Sequence, residues 1–246
     1  MNTTTTPNLK LQTLPGAFGV RGASSFALKA EALLSLAGLE YEREVSQPRF
    51  GPRQKMPVLH HGTVVVPDTR NIQNYLEREF GADFDGHLAA EDRARIPPLR
   101  RMLEEHLYFV QLYFRWNDHA DLVKETFFAD VPWLLRSTVF RMVRKKVDQQ
   151  LWAQGTGRLP REEMIERARE DLEALHLALG DRPFFFADRP GSLDATVYPL
   201  LLNFVAPAAP SPLVPWVRPF ADYIERAEQH FFGSRPALAD LTLRAA

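Results

Sequence analysis

Cysteine is absent from all 246 residues. Its absence excludes disulfides and any nucleophilic or metal-binding thiolate of the protein's own, so thiol chemistry would have to arrive on a ligand. Net charge is also lacking. The 30 Lys and Arg against 31 Asp and Glu leave −1 at neutral pH, which gives the whole chain no drive towards nucleic acid or an anionic surface. The opening MNTTTTPNLK lacks the charged-then-apolar order of a signal peptide, and residues 1–8 read as a tail. One uncharged stretch, Ala195 to Val217, has 23 residues, enough to span a membrane. Prolines at 199, 207, 210, 212 and 215 exclude a continuous spanning helix, so it reads as a buried helix followed by a Pro-rich turn. A soluble, cytoplasmic protein with no membrane or nucleic-acid partner is expected.

The 45% hydrophobic content suffices for a real core, and its pattern divides in two. Residues 9–81 alternate strand and helix signals. Leu9 to Leu14 and Tyr41 to Val45 are strand candidates, and between them Ala27, Ala30, Leu33, Leu34 and Ala37 recur at helical spacing before Gly38. Pro57–His60 and Thr63–Val66 flank His61-Gly62, a hairpin signal. Ile72, Tyr75, Leu76 and Phe80 mark one helix face, with Gly81 just beyond. The order is β-α-β, then β-β-α. The first two strands are expected to be parallel, and the last two an antiparallel hairpin on the same sheet.

After a linker over 82–90, residues 91–246 show almost only helical patterns. Leu99, Met102, Leu103, His106, Leu107, Val110 and Phe114 trace a long helix whose start or kink lies at Pro97-Pro98. Four more are expected at Trp133–Trp152, Pro160–Leu179, Ser192–Val205 and roughly 215–231. The basic run Arg141-Met142-Val143-Arg144-Lys145-Lys146 fits a solvated helix face, or else a patch for an anion or a partner. His60-His61 and Glu104-Glu105-His106 do not supply three convergent ligands, so no metal site is expected.

Four stretches in order resemble the glutathione transferase superfamily: SSFALKAEALLSLAGLEYE, QKMPVLHHGTVVVPDTRNIQNYLE, RPFFFADRPGSLDATVYPLL and VRPFADYIERAEQHFF. The wording LDATVY is similar to the branch of metaxin-like and failed-axon-connections-like proteins and their bacterial relatives. The resemblance implies an α/β thioredoxin-like N-terminal domain followed by an all-α helical bundle. It implies glutathione as co-substrate, a small hydrophobic electrophile, a role in detoxification and a homodimer.

The site residues follow from the same resemblance. Met56 and Pro57, joined by a cis bond, would pair glutathione's backbone, although Pro57 alone also fits a plain strand start. Asp68 and Thr69 would hold the γ-glutamyl carboxylate at a helix N-terminus, beside their ordinary role as a cap. Lys55 would reach the glycyl carboxylate. Ser24, with Ser25 in reserve, would donate a hydrogen bond to the sulfur and favour its thiolate, while Arg21 would help hold that charge; as a helix start, either serine also fits a simple cap. Phe18, Tyr108, Arg115 and Trp116 are candidates for the electrophile pocket. Gly191 stands where the family carries a capping Ser or Thr, and Asp194 is expected to be structural. The alternative reading is a non-catalytic interaction module of metaxin-like type.

Overall fold

A computed structural model describes residues 8–46 and 51–233; of the expected tail only Asn8 is among them. Strands β1 (Leu9–Thr13), β2 (Glu42–Val45), β3 (Val58–His61) and β4 (Val64–Pro67) form one sheet in the order β2-β1-β3-β4. β1 runs parallel to β2 and antiparallel to β3, and β3 and β4 form the hairpin. Leu9, Leu11 and Thr13 are buried with the two-residue period of a strand. The hairpin turn lies one residue later than the dipeptide signal implies. His61 pairs with both Leu9 and Val64, so the turn is Gly62-Thr63, with Gly62 at φ 58°.

Helix α1 (Ser25–Leu36) crosses from β1 to β2, and α2 (Thr69–Phe80) follows β4. α2 buries Ile72, Tyr75 and Leu76 and stops at Gly81, whose φ of 67° is the left-handed conformation that ends helices. α1 is buried on nearly every side because α8 (Asp194–Phe204) packs against it from the helical half.

The long helix begins earlier than its prolines suggest. Helix α3 (Ala90–Arg101) carries Pro97 and Pro98 inside it and opens with Glu91 and Asp92, favourable charges at a helix N-terminus. It continues without a break through a π-helical segment (Met102–Leu107) into α4 (Tyr108–Asp118). There the Tyr108 N–H donates to the Leu103 carbonyl, five residues back. Helix α5 (Ala120–Phe127), which periodicity did not separate, comes next, then α6 (Trp133–Gln154), α7 (Arg161–Leu179), α8, the short α9 (Val214–Val217) and α10 (Ala221–Phe232).

Every residue of α8 is buried, Pro199 included, and among the described residues no helix is long and apolar enough to cross a membrane. Asp194 accepts from the N–H groups of Gly191 (2.8 Å) and Phe185 (3.1 Å) and from the Tyr223 hydroxyl (3.1 Å). A Cβ on residue 191 would lie 2.7 Å from Oδ1 of the Asp85 carboxylate, which the Ser192 N–H and hydroxyl hold in place, and 3.2 Å from the Phe84 carbonyl oxygen, so glycine fits there with least disturbance. Burial pushes the Asp194 carboxyl up to about 7, against the pull of those three donors. Unfolded, it titrates near 3.9. Between these values the folded chain binds the extra proton, so this group's contribution is complete below about pH 4 and is lost as pH rises through 7. In urea melts, the parent should lose ground to Asp194→Asn, which cannot titrate, as the pH goes from 4 to 8.

Candidate functional site

Register brings three segments to one end of the sheet. Gln12 pairs with Val58, and Val58 with Pro67. The end of β1, the start of β3 and the end of β4 therefore lie side by side. The Met56–Pro57 bond at the start of β3 is cis. The Asp68 N–H donates to the Pro57 carbonyl at 3.5 Å, joining that turn to the start of α2. Asp68 sits at φ 78°, a costly backbone conformation for a residue with a side chain, and one that tends to occur at functional sites. Its carboxylate caps α2 by accepting from the Arg70 N–H at 2.9 Å, while Thr69 behind it is buried. Arg70 lies near Arg100 of α3; burial, and then the Arg70 charge, lower the Arg100 pKa. Neither arginine stands out in the sequence, because each follows helical spacing on a polar face.

The two serines part company. Ser24 is the N-cap of α1, with extended φ and ψ of −110° and 117°, and its Oγ accepts from the Ala27 N–H at 3.2 Å. An accepting hydroxyl keeps its own proton to donate. Ser25 is buried, and its hydroxyl lies 3.4 Å from two acceptors, Gln111 Oε1 and the Pro199 carbonyl. It faces the helical half.

One turn further, Lys29 is 2% exposed and sits 2.5 Å from Glu104 Oε1 on the π-helical segment. Desolvation drives the ammonium pKa down, Glu104 opposes it, and Asp68 adds a smaller upward push. Lys29 thus stands between the start of α2 and the helical half. Sequence reasoning missed it; the only signal was a lysine inside the apolar run Ala27-Leu28-Lys29-Ala30.

The other candidates are dispersed. Arg21 points to Glu31 (3.9 Å) and over the Phe232 ring (4.2 Å), and Lys55 is exposed. Phe18, at φ 58°, is buried edge-on against Phe127. Arg115 is buried above Phe18 and donates to the Ala23 carbonyl (2.6 Å) and to Asn203 Oδ1 (2.8 Å), clamping the loop before Ser24 onto α8. Burial lowers its guanidinium to about 10. Trp116 stacks on Phe140, with 6.0 Å between ring centroids. Tyr108 borders a cleft with Ser25, Phe26, Lys29 and Glu104, and its ring meets Phe26 edge-on. Burial raises its phenol pKa.

The family model for the glutathione S-transferase N-terminal domain matches residues 25–121, and that for the glutathione S-transferase C-terminal domain matches 168–228. The isoprene-epoxide–glutathione S-transferase of Rhodococcus sp. (strain AD45) is 28% identical over 75% of this chain and 82% of its own. Failed axon connections of Drosophila melanogaster is 28% identical over 72% of this chain, which spans only 46% of that relative. Human metaxin-2 is 23% identical over 87% of this chain and 83% of its own. A crystal structure of a glutathione transferase from Phanerochaete chrysosporium superposes with a TM-score of 0.60 at 15% identity, covering 91% of this chain and 97% of that one; it speaks to the fold alone. The two family models together match more than half of the chain, in the order in which its α/β and helical parts occur: the chain belongs to the glutathione S-transferase superfamily.

Proposed function

We propose that this chain binds glutathione at the sheet end described above and activates its thiol for attack on a small hydrophobic electrophile or for reduction of a peroxide. One observation carries the reading: the cis Met56–Pro57 turn and the strained Asp68 with Thr69 at the start of α2 share the end of the sheet at which β1 finishes and the chain leaves for Ser24 and α1. The peptide backbone would pair beside Pro57, with the γ-glutamyl carboxylate on the α2 N-terminus and Arg70 near it. Ser24 rather than Ser25 would face the sulfur, because the Ser25 hydroxyl is already directed at two acceptors. Lys55 remains a candidate for the glycyl carboxylate, and Tyr108 for the electrophile. The proposed division is a glutathione-binding part over 9–81 and a helical part from 91, and the proposed assembly is a homodimer.

Thr69→Val should lower affinity for glutathione about ten- to a hundred-fold by removing one hydrogen bond to a charged group. Titration calorimetry with glutathione checks this. Retention on immobilised glutathione and turnover of an activated aryl halide test the reading as a whole, and folded protein that neither binds nor turns over would refute it.

A second reading, a non-catalytic interaction module, is favoured by the packing of the expected pocket. Phe18 and Trp116 are buried against the rings of Phe127 and Phe140, and Arg115 is buried and clamps the loop before Ser24. Binding without turnover is its signature.

A further inference from the structure

The basic run at 141–146 plays no part in the site above. It lies on α6, which carries five Lys and Arg against a single acid, Asp148, in a chain of net charge −1. The core face of this helix is Phe140, Val147 and Leu151. The large apolar side chains with the greatest exposure on the helix are Trp133 (78%) in its first turn and, away from the core face, Leu134 (70%), Leu135 (57%), Met142 (56%) and Trp152 (60%). At 3.6 residues per turn, Leu134, Leu135, Met142 and Trp152 fall with Arg141, Lys145 and Lys146 inside an outward sector about 140° wide. Lys145 and Lys146 are exposed and have no ion-pair partner among the described residues, while Trp133 protrudes at the helix tip.

We propose that the outward face of α6 is a peripheral docking surface for an anionic lipid bilayer. The helix would lie flat on the membrane without crossing it. Leu134, Leu135, Met142 and Trp152 would enter the boundary between headgroups and acyl chains, where Trp side chains are favoured, and Trp133 would reach it from the helix tip. Arg141, Lys145 and Lys146, on the same face, would reach the phosphates along their flexible stems. Local charge thus overrides the neutrality of the whole chain. A second copy of this chain is a poorer occupant. A two-fold contact centred on this stretch would set the Arg141, Lys145 and Lys146 cluster of one copy against the same cluster of the other, and like charges across an interface oppose association.

The test is flotation of the full chain with vesicles of phosphatidylcholine alone, or with about one-third phosphatidylserine, at low and high salt. Binding is expected only to the anionic vesicles and should weaken with salt. A single Lys or Arg near such a surface changes partitioning about five-fold, so Arg141→Gln/Lys145→Gln/Lys146→Gln should lower it by roughly a hundred-fold. Trp133→Ser/Leu134→Ser/Leu135→Ser should abolish it while α6 keeps its buried residues and the circular dichroism is unchanged. Three results would each overturn the proposal: no flotation with anionic vesicles, flotation indifferent to the apolar triple substitution, or a dimer in sedimentation velocity that this substitution dissociates.

Discussion

Glu104→Ala should lower the melting temperature by roughly 6–12 °C, the shift expected for a loss of about 3 kcal/mol in a chain of this size. The substitution leaves the Lys29 ammonium, 2% exposed, without the carboxylate 2.5 Å away. Breaking one side of a buried ion pair typically costs 3–5 kcal/mol, and the lower end applies because the Glu104 side chain keeps 24% of its exposure. The pair itself contributes far less than that loss. Lys29→Met/Glu104→Leu, which removes both charges and keeps the volume, should recover most of the stability. A full double-mutant cycle by thermal or urea unfolding separates the two quantities. A double variant as unstable as Glu104→Ala would show that the cost lies in packing of the π-helical segment and not in charge.

Ser24→Ala should raise the pKa of bound glutathione by one to two units, while Ser25→Ala leaves it in place. A hydrogen bond to a charged acceptor contributes about 1.5–3 kcal/mol, and about 1.4 kcal/mol corresponds to one pKa unit. Near neutral pH the thiolate would drop from a major form to a few per cent, and turnover by about ten-fold. The thiolate absorbs in the near ultraviolet, so a pH titration of the complex reads the shift directly. Ser24→Ala also removes a helix cap, at a cost of about 1 kcal/mol. Ser24→Asp separates these effects: it keeps an acceptor for the Ala27 N–H but sets a negative charge beside the sulfur, so the thiol pKa should rise further while the helix stays capped. If Ser24→Ala leaves the thiol unchanged, another donor activates it.

Much of the fold could be read from the chain because its α/β part announces itself locally. Apolar spacing marked α1 and α2, and Gly38 and Gly81 marked their ends, while the cis bond at Pro57 that is present was implied by the family resemblance and not by the local residues. The helical part was harder to parse. α5 begins two residues after α4 ends, with only His119 between them and neither glycine nor proline to signal a stop. Pro97 and Pro98 suggested a helix start or a kink; they do not start the helix, because two missing N–H groups are accommodated inside α3. The π-helical turn leaves no trace in apolar spacing, since Leu103 and Leu107 stay buried across it.

At the site, resemblance named the parts but not their directions. The resemblance put Ser24 first and kept Ser25 in reserve, and the directions of the two hydroxyls follow only from the placement of Ala27, Gln111 and Pro199. Arg115 reads as a pocket residue until its three acceptors are seen, two of them backbone carbonyls at Ala23 and Asn203. The Lys29–Glu104 pair joins residues 75 positions apart, beyond the reach of any local pattern.

The cradle at the sheet end is set by a ladder of backbone hydrogen bonds and one bond from Asp68 to Pro57. Main-chain geometry of this kind is indifferent to most side chains around it. On the proposed reading, an extended peptide would pair along this main chain, so substitutions among the groups lining the pocket would change the reaction and leave the cradle in place. On that reading, catalysis would hang on one or two hydroxyls, whereas loss of the cradle would require the sheet itself to come apart.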